Sequence, residues 1–229
     1  MPERIGEEAP HQRPIHRVIK GIEKVVSSIS EIIKVKDELR EYAIRKCRDI
    51  IRLSGYAITY IHTNNINKAM EILKVTEQIV KEVVNKLSNH PELLYSGFLA
   101  NALSEFAEAS IFIAIIQNME IPTHQDLKIP PIPYLQGLGD VVGELRRKAI
   151  EYLGEWRIDK AEEILKVMDS IHVVLKSLDY PEALIPGIRH KADVAKRLTE
   201  DLRTMITDIK TRKRLIQELK EFRESISHK

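Results

Sequence analysis

The sequence predicts an all-α, single-domain antiparallel helical bundle of six to seven helices, with very long first and last helices. Three observations point there. Apolar residues recur at three- and four-residue spacing through most of the 229 positions. Glycine (9), proline (10) and aromatic residues (5%) are too scarce for a many-stranded sheet and its turns. The prolines also gather where helices should end, and the length suffices for one large core.

The elements follow in order. Met1 to Pro14 carries three prolines and no periodicity, so residues 1–14 are expected to be a flexible arm before a domain of residues 15–229. From Ile15 to Ile61 an apolar stripe continues without a proline, predicting one helix with possible bends at Ser27-Ser28 or Gly55. A helix of that length calls for a long partner surface, within the subunit or across an oligomer. Asn64-Asn65 breaks the pattern, Ile66 to Leu87 restores it, and Ser88-Asn89-His90-Pro91 ends it. A third helix is expected from Pro91 to about Asn118; its segment Ile111 to Ile116 is apolar on every side and therefore should be buried all round. Four prolines between Ile121 and Pro133 leave room only for a turn near His124 to Leu127. Helices are then expected over Pro133 to Gly154, Ile158 to Leu178 and, after a linker at Tyr180-Pro181 and Pro186-Gly187, Arg189 to Ser225.

Charge and cysteine content narrow the function classes. A formal net charge of +2, from 36 basic and 34 acidic side chains, excludes the overall field of a strongly cationic nucleic-acid binder. Gly187 to Lys229 nevertheless holds 12 Lys/Arg against 7 Asp/Glu, which fits either a solvated face or a phosphate-facing one. The single cysteine, Cys47, rules out an intrachain disulfide and suits a packed thiol in a reducing compartment. No leader-like opening and no uncharged apolar run of 18 residues occur, so a cytoplasmic protein with no membrane partner is expected.

Two acidic signatures carry the functional reading. Ser104-Glu105-Phe106-Ala107-Glu108-Ala109 places carboxylates three residues apart, and Gly139-Asp140-Val141-Val142-Gly143-Glu144-Leu145 places them four apart, so each pair shares one helix face. Four such groups brought together suit a divalent cation. The competing account is structural: in a chain with 34 acids some fall at these spacings, and Arg146 and Arg147 stand ready to neutralise them. Apolar neighbours of the first pair, Leu103, Phe106, Ala107, Ala109 and Ile111, argue for burial, where an acid needs a counterion. Gly139 and Gly143 remove side chains beside the second pair and permit the close approach of another helix or a substrate.

The stretch Phe98 to Gln117, followed by Tyr134-Leu135-Gln136-Gly137-Leu138-Gly139-Asp140-Val141-Val142-Gly143-Glu144-Leu145-Arg146, resembles the translin family, and within it the branch of translin-associated protein X more than translin itself. The likeness runs from about Leu39 to about Asp208 and includes Arg48-Asp49-Ile50 and Lys191-Ala192-Asp193. The resemblance implies an all-helical subunit of a hollow, roughly octameric homo-oligomer that binds single-stranded RNA or DNA. It also implies a Mg²⁺-dependent endoribonuclease site whose acids here are Glu105, Glu108, Asp140 and Glu144, as in a single-component archaeal-type homologue with every subunit competent. Hard carboxylate oxygens suit Mg²⁺ or Mn²⁺. On this reading Glu105, Glu108 and Asp140 ligate the metal, and Glu144 ligates it or orients the attacking water.

Basic contacts to the nucleic acid are expected from Arg45, Lys46, Arg48 and Arg52 on the first helix, against the alternative of a solvated or salt-bridged face. Arg146, Arg147, Arg189 and Lys191 are further candidates. His62, His90 and His124 are expected to be exposed or capping residues, and Trp156 a core or interface anchor. Two other readings stay open: a nucleic-acid-binding oligomer without hydrolysis, whose acids form structural pairs, and a purely structural or partner-binding helical protein.

Overall fold

In the computed structural model, residues 12–227 are described; the expected arm lies for residues 1–11 outside them, and Gln12 already belongs to the first helix. Seven helices and no strand occur among the described residues: α1 (Gln12–His62), α2 (Ile66–Leu87), α3 (Pro91–Leu94), α4 (Gly97–Ile116), α5 (Pro131–Gly154), α6 (Ile158–Lys176) and α7 (Ile188–Ser227). The chain divides within α1 into two units, residues up to Arg45 and Lys46–Lys229.

In the first unit every residue from 15 to 38 is exposed. The stripe read from the sequence is present on this helix as Ile15, Val18, Ile19, Ile22, Val25, Val26, Ile29, Ile32 and Ile33, each between 48% and 63% exposed.

The second unit is built on α4. Thirteen of its residues, from Leu99 to Ala114, are buried, because small residues (Ala102, Ala107, Ala109) alternate with Phe106, Phe112 and Ile111 on every side. α4 is long and apolar enough to cross a membrane by composition, but it is mostly buried inside the fold and forms its core. α5 packs against α4, α6 and α7, and α2 against α3 and α4. α2 buries one face, Ala69, Leu73, Thr76, Val80, Val83 and Leu87, at the spacing its sequence shows.

The expected single helix from Pro91 to Asn118 is two. Ser96 adopts an extended conformation (φ −69°, ψ 148°) before α4, and its hydroxyl donates to the Leu93 carbonyl at 2.6 Å. Serine followed by glycine favours such a break over continued helix. Trp156 is not a core anchor: it is 54% exposed and turns the chain with φ 60° at the end of α5. At His124–Lys128 the chain makes a hydrogen-bonded turn, fastened where Asp126 accepts from the Thr123 amide at 2.8 Å.

α4 and α5 run side by side in the same direction, as shown by Gly97 and Asn101 lying near Pro131 and Gln136 and by Ser104 to Glu108 lying against Gly137. The loop of residues 117–130 is long enough to bring the chain back for this parallel start. Gly137 sets the spacing: a Cβ there would stand 2.5 Å from the Ser104 carbonyl oxygen and 2.8 Å from both the Ala107 Cβ and the Glu108 nitrogen. Gly139 similarly admits Lys191, whose Cβ would be 2.8 Å away, whereas a Cβ on Gly143 meets nothing within 4 Å. The close approach expected at both Gly139 and Gly143 therefore occurs only at the first. Gly137→Ala is expected to destabilise the protein by about 2 kcal/mol, because backbone must move, and to lower Tm by roughly 4–8 °C. Gly143→Ala should instead gain ~0.5–1 kcal/mol of helix propensity. Thermal melts of the two variants check the opposite signs.

Candidate functional site

The parallel α4–α5 seam brings the four sequence-selected acids within electrostatic reach of one another. Glu105 and Glu108 stand one turn apart on α4, and Asp140 and Glu144 one turn apart on α5. Glu108 is only 9% exposed, and its carboxyl is pushed up to about 8, first by burial and then by the negative charges of Asp140, Glu105 and Glu144. Burial, followed by Asp140, likewise raises Glu105. Asp140 is ion-paired with the Lys191 ammonium from α7, and the Ser104 hydroxyl lies 3.4 Å from its other oxygen. Glu144 is held below the usual carboxylate range because a ring nitrogen of His62 bonds it at 2.5 Å, an effect that outweighs its partial burial.

His62 is the residue that spacing along the chain misassigns. It is a buried member of the site, with a side chain 4% exposed and its other nitrogen 2.9 Å from Glu151. If both carboxylates are ionised, the ring satisfies them by donating from both nitrogens; otherwise one carboxyl must carry the proton. The Phe112 ring, with its centroid 5.1 Å away, packs against the imidazole. Lys148, 2% exposed, completes the network, donating to Glu151 at 3.0 Å, to the Asn64 side chain at 3.1 Å and to the His62 carbonyl at 3.3 Å. Three acceptors match the three protons of the ammonium, which is what allows its burial. His62→Ala is expected to cost ~1–3 kcal/mol by taking a hydrogen-bond partner from the half-buried Glu144 and Glu151 carboxylates and opening space beside Phe112. It should also raise the Glu144 carboxyl, since its main stabilising bond is gone; denaturant unfolding and carboxyl NMR titration read the two effects.

The donor set fits a hard divalent cation in chemistry: four carboxylates, one of them nearly buried and crowded by the others. Among the described residues, however, no three His, Cys, Asp or Glu side chains converge as one metal-holding group. Lys191 and His62 engage Asp140 and Glu144 instead. One turn before Glu105 and Asp140, where α4 and α5 begin, a pocket of about 630 Å³ opens between Tyr95, Asn101, Ile132, Gln136 and Leu184.

The basic candidates divide. Arg45, in the first unit, is exposed, as is Arg48 in the second. Lys46 pairs with Glu82 at 3.0 Å and Arg52 with Asp49 at 2.8 Å. Arg147 serves the acids, 3.9 Å from both Glu144 and Glu151. Arg146 leaves a buried Nε without a hydrogen-bond partner. Arg189 is engaged locally, donating to the Tyr180 carbonyl at 3.1 Å. Cys47 is a packed thiol, as expected, and burial pushes it up to about 11.

Residues 38–213 match the model of the translin family. The chain belongs to the translin family. An uncharacterized protein of Methanocaldococcus jannaschii is 29% identical over 187 residues, covering 79% of this chain and 82% of that protein. The crystal structure of AfC3PO aligns with a TM-score of 0.75 at 27% identity, covering 81% of this chain and 97% of the other; AfC3PO in complex with duplex RNA aligns at 0.74 and 27% identity, covering 81% and 96%. Apo-NeC3PO, at 19% identity, covers 89% of this chain and 100% of its own with a TM-score of 0.70, a likeness of fold. The translin fold thus spans α1 from residue 38, all of α2 to α6, and α7 to residue 213.

Proposed function

We propose that this translin-family chain is a divalent-metal-dependent endoribonuclease of the kind its likeness to translin-associated protein X implies, binding RNA as a homo-oligomer, octameric by that same likeness. The observation that carries the reading is Glu108: a carboxyl only 9% exposed that lies near three other carboxylates, with burial and their charges raising it. The AfC3PO complex with duplex RNA supports RNA as ligand. Single-stranded RNA, and single-stranded DNA in second place, remain the proposed ligands; the pocket beside Tyr95 offers an unstacked base an aromatic face and the amide of Asn101, while the Gln136 amide donates to the Pro186 carbonyl.

Glu105, Glu108 and Asp140 would hold Mg²⁺ or Mn²⁺, and Glu144 would join them or orient water. A bound cation supplies a water of lowered pKa and positive charge for the phosphoryl oxygens. The protein's own groups prepare the rest. His62 fixes the Glu144 carboxylate, and Lys148 and Phe112 fix His62. Lys191 keeps a positive charge beside Asp140. The buried wall of α4 limits water around Glu108. Arg48, exposed on α1, is the best placed of the second unit's helix-one cations to meet a phosphate; Arg48→Glu is expected to weaken RNA binding and lower its log–log salt slope by about 0.7, read by titration at several salt concentrations.

A second reading has its own observation: with Lys191 on Asp140 and His62 on Glu144, the acids already have protein partners, as in a binding oligomer without hydrolysis. Cleavage of labelled single-stranded and duplex RNA with Mg²⁺, Mn²⁺ or EDTA, beside Glu108→Ala, separates the two. Metal-dependent cutting lost in the variant supports the nuclease; binding without cutting under any metal moves the protein to the second class.

A further inference from the structure

The most exposed apolar feature of the molecule lies before the residues matched by the family model. Ile15 to Ile33 falls before residue 38, where the family match begins, and AfC3PO is covered over 97% of its length by only 81% of this chain. The family match thus begins after this stripe, on which nine Ile and Val side chains face solvent. Soluble surfaces rarely leave so many apolar side chains contiguous unless another molecule covers them.

The repeat is regular. Taking Ile15 as position a of a heptad, a is Ile at 15, 22 and 29; d is Val, Val and Ile at 18, 25 and 32; e is Ile, Val and Ile at 19, 26 and 33. Position f, on the opposite face, is Lys20, Ser27 and Lys34. Three heptads of a, d and e define a face that receives knobs from a helix with the same period. Lys36 and Arg40 at the next a and e positions end it.

We infer that this segment is a self-association surface, occupied by the same segment of further copies of this chain in a helical bundle. Three properties fix the occupant. A copy supplies a stripe of identical length and period by symmetry, whereas the exposed stripe at the end of α7, from Leu215 to Ile226, carries five such side chains against nine. Charge is opposite in sign when the copies run antiparallel: the first half carries Arg17, Lys20 and Lys24 against Glu23, and the second half Glu31, Asp37 and Glu38 against Lys34 and Lys36. The area suffices, since nine half-exposed β-branched side chains offer on the order of 800 Å² per chain, the share each partner gives to a standard interface.

The full chain tests this without RNA or metal, so the result is independent of the nuclease reading. Val25→Cys (position d) and Ser27→Cys (position f) are prepared as ¹⁴N and ¹⁵N proteins, mixed, and treated with a short bis-maleimide. Cys47 is buried and does not compete. Mixed-isotope cross-links at Val25→Cys several-fold above those at Ser27→Cys, abolished by adding Ile29→Glu with helical content unchanged by circular dichroism, are the expected result. Equal yields at the two positions, cross-links confined to single chains, or none at all would overturn the inference.

Discussion

Asp140→Asn is expected to reduce metal-dependent RNA cleavage at least 100-fold, about 2.7 kcal/mol of transition-state stabilisation, while RNA affinity changes less than about threefold. The substitution removes one oxygen charge from the seam and frees Lys191, which otherwise pairs with Asp140. It also removes the negative charge that most raises Glu108, so the Glu108 carboxyl should fall. Cleavage kinetics and a carboxyl titration of the same variant read both. Undiminished cleavage would remove Asp140, and with it the four-carboxylate assignment, from the chemistry.

The second large effect is on stability and depends on pH. Glu108 ionises near 4.5 when unfolded and near 8 in the fold, so between those values the folded state binds the extra proton. Stability linked to Glu108 is therefore fully present below about pH 4.5, declines as pH rises, and is lost above about 8. Glu108→Gln keeps the shape and removes the charge. At pH 9 it is expected to stabilise the protein by roughly 2–4 kcal/mol, or about 5–10 °C in Tm, with little change at pH 5. Melts across that range check it, and a Glu108→Gln protein no more stable than the parent at pH 9 would mean the carboxylate is already compensated.

What the sequence made legible was whatever lies along one helix. The bounds Ile66–Leu87 were read correctly because Asn64-Asn65 and Ser88-Asn89-His90-Pro91 punctuate a clean period. The four acids were found because each pair sits one turn apart and family-like residues surround it. What lay hidden depends on pairs across the fold. His62 meets partners 82 and 89 positions away, and Lys191 meets Asp140 51 positions away, so no local pattern joins them. Gly137 looked like any other glycine of its helix, though it, and not Gly143, is where the backbones touch. Periodicity also revealed the stripe from Ile15 to Ile33 but left open whether its partner surface lies within the subunit or across an oligomer.

The contact at Gly137 has a mechanical meaning. Where two helices meet through backbone atoms, with no side chain between them to change rotamer, neither can slide or roll past the other without opening a gap. Glu105 and Glu108 are thus mounted on one jaw and Asp140 and Glu144 on the other, with the hinge seized. Whatever adjustment the site makes on taking up a ligand must come from its movable pieces, the long arm of Lys191 and the carboxylates' own torsions, while the frame stays still.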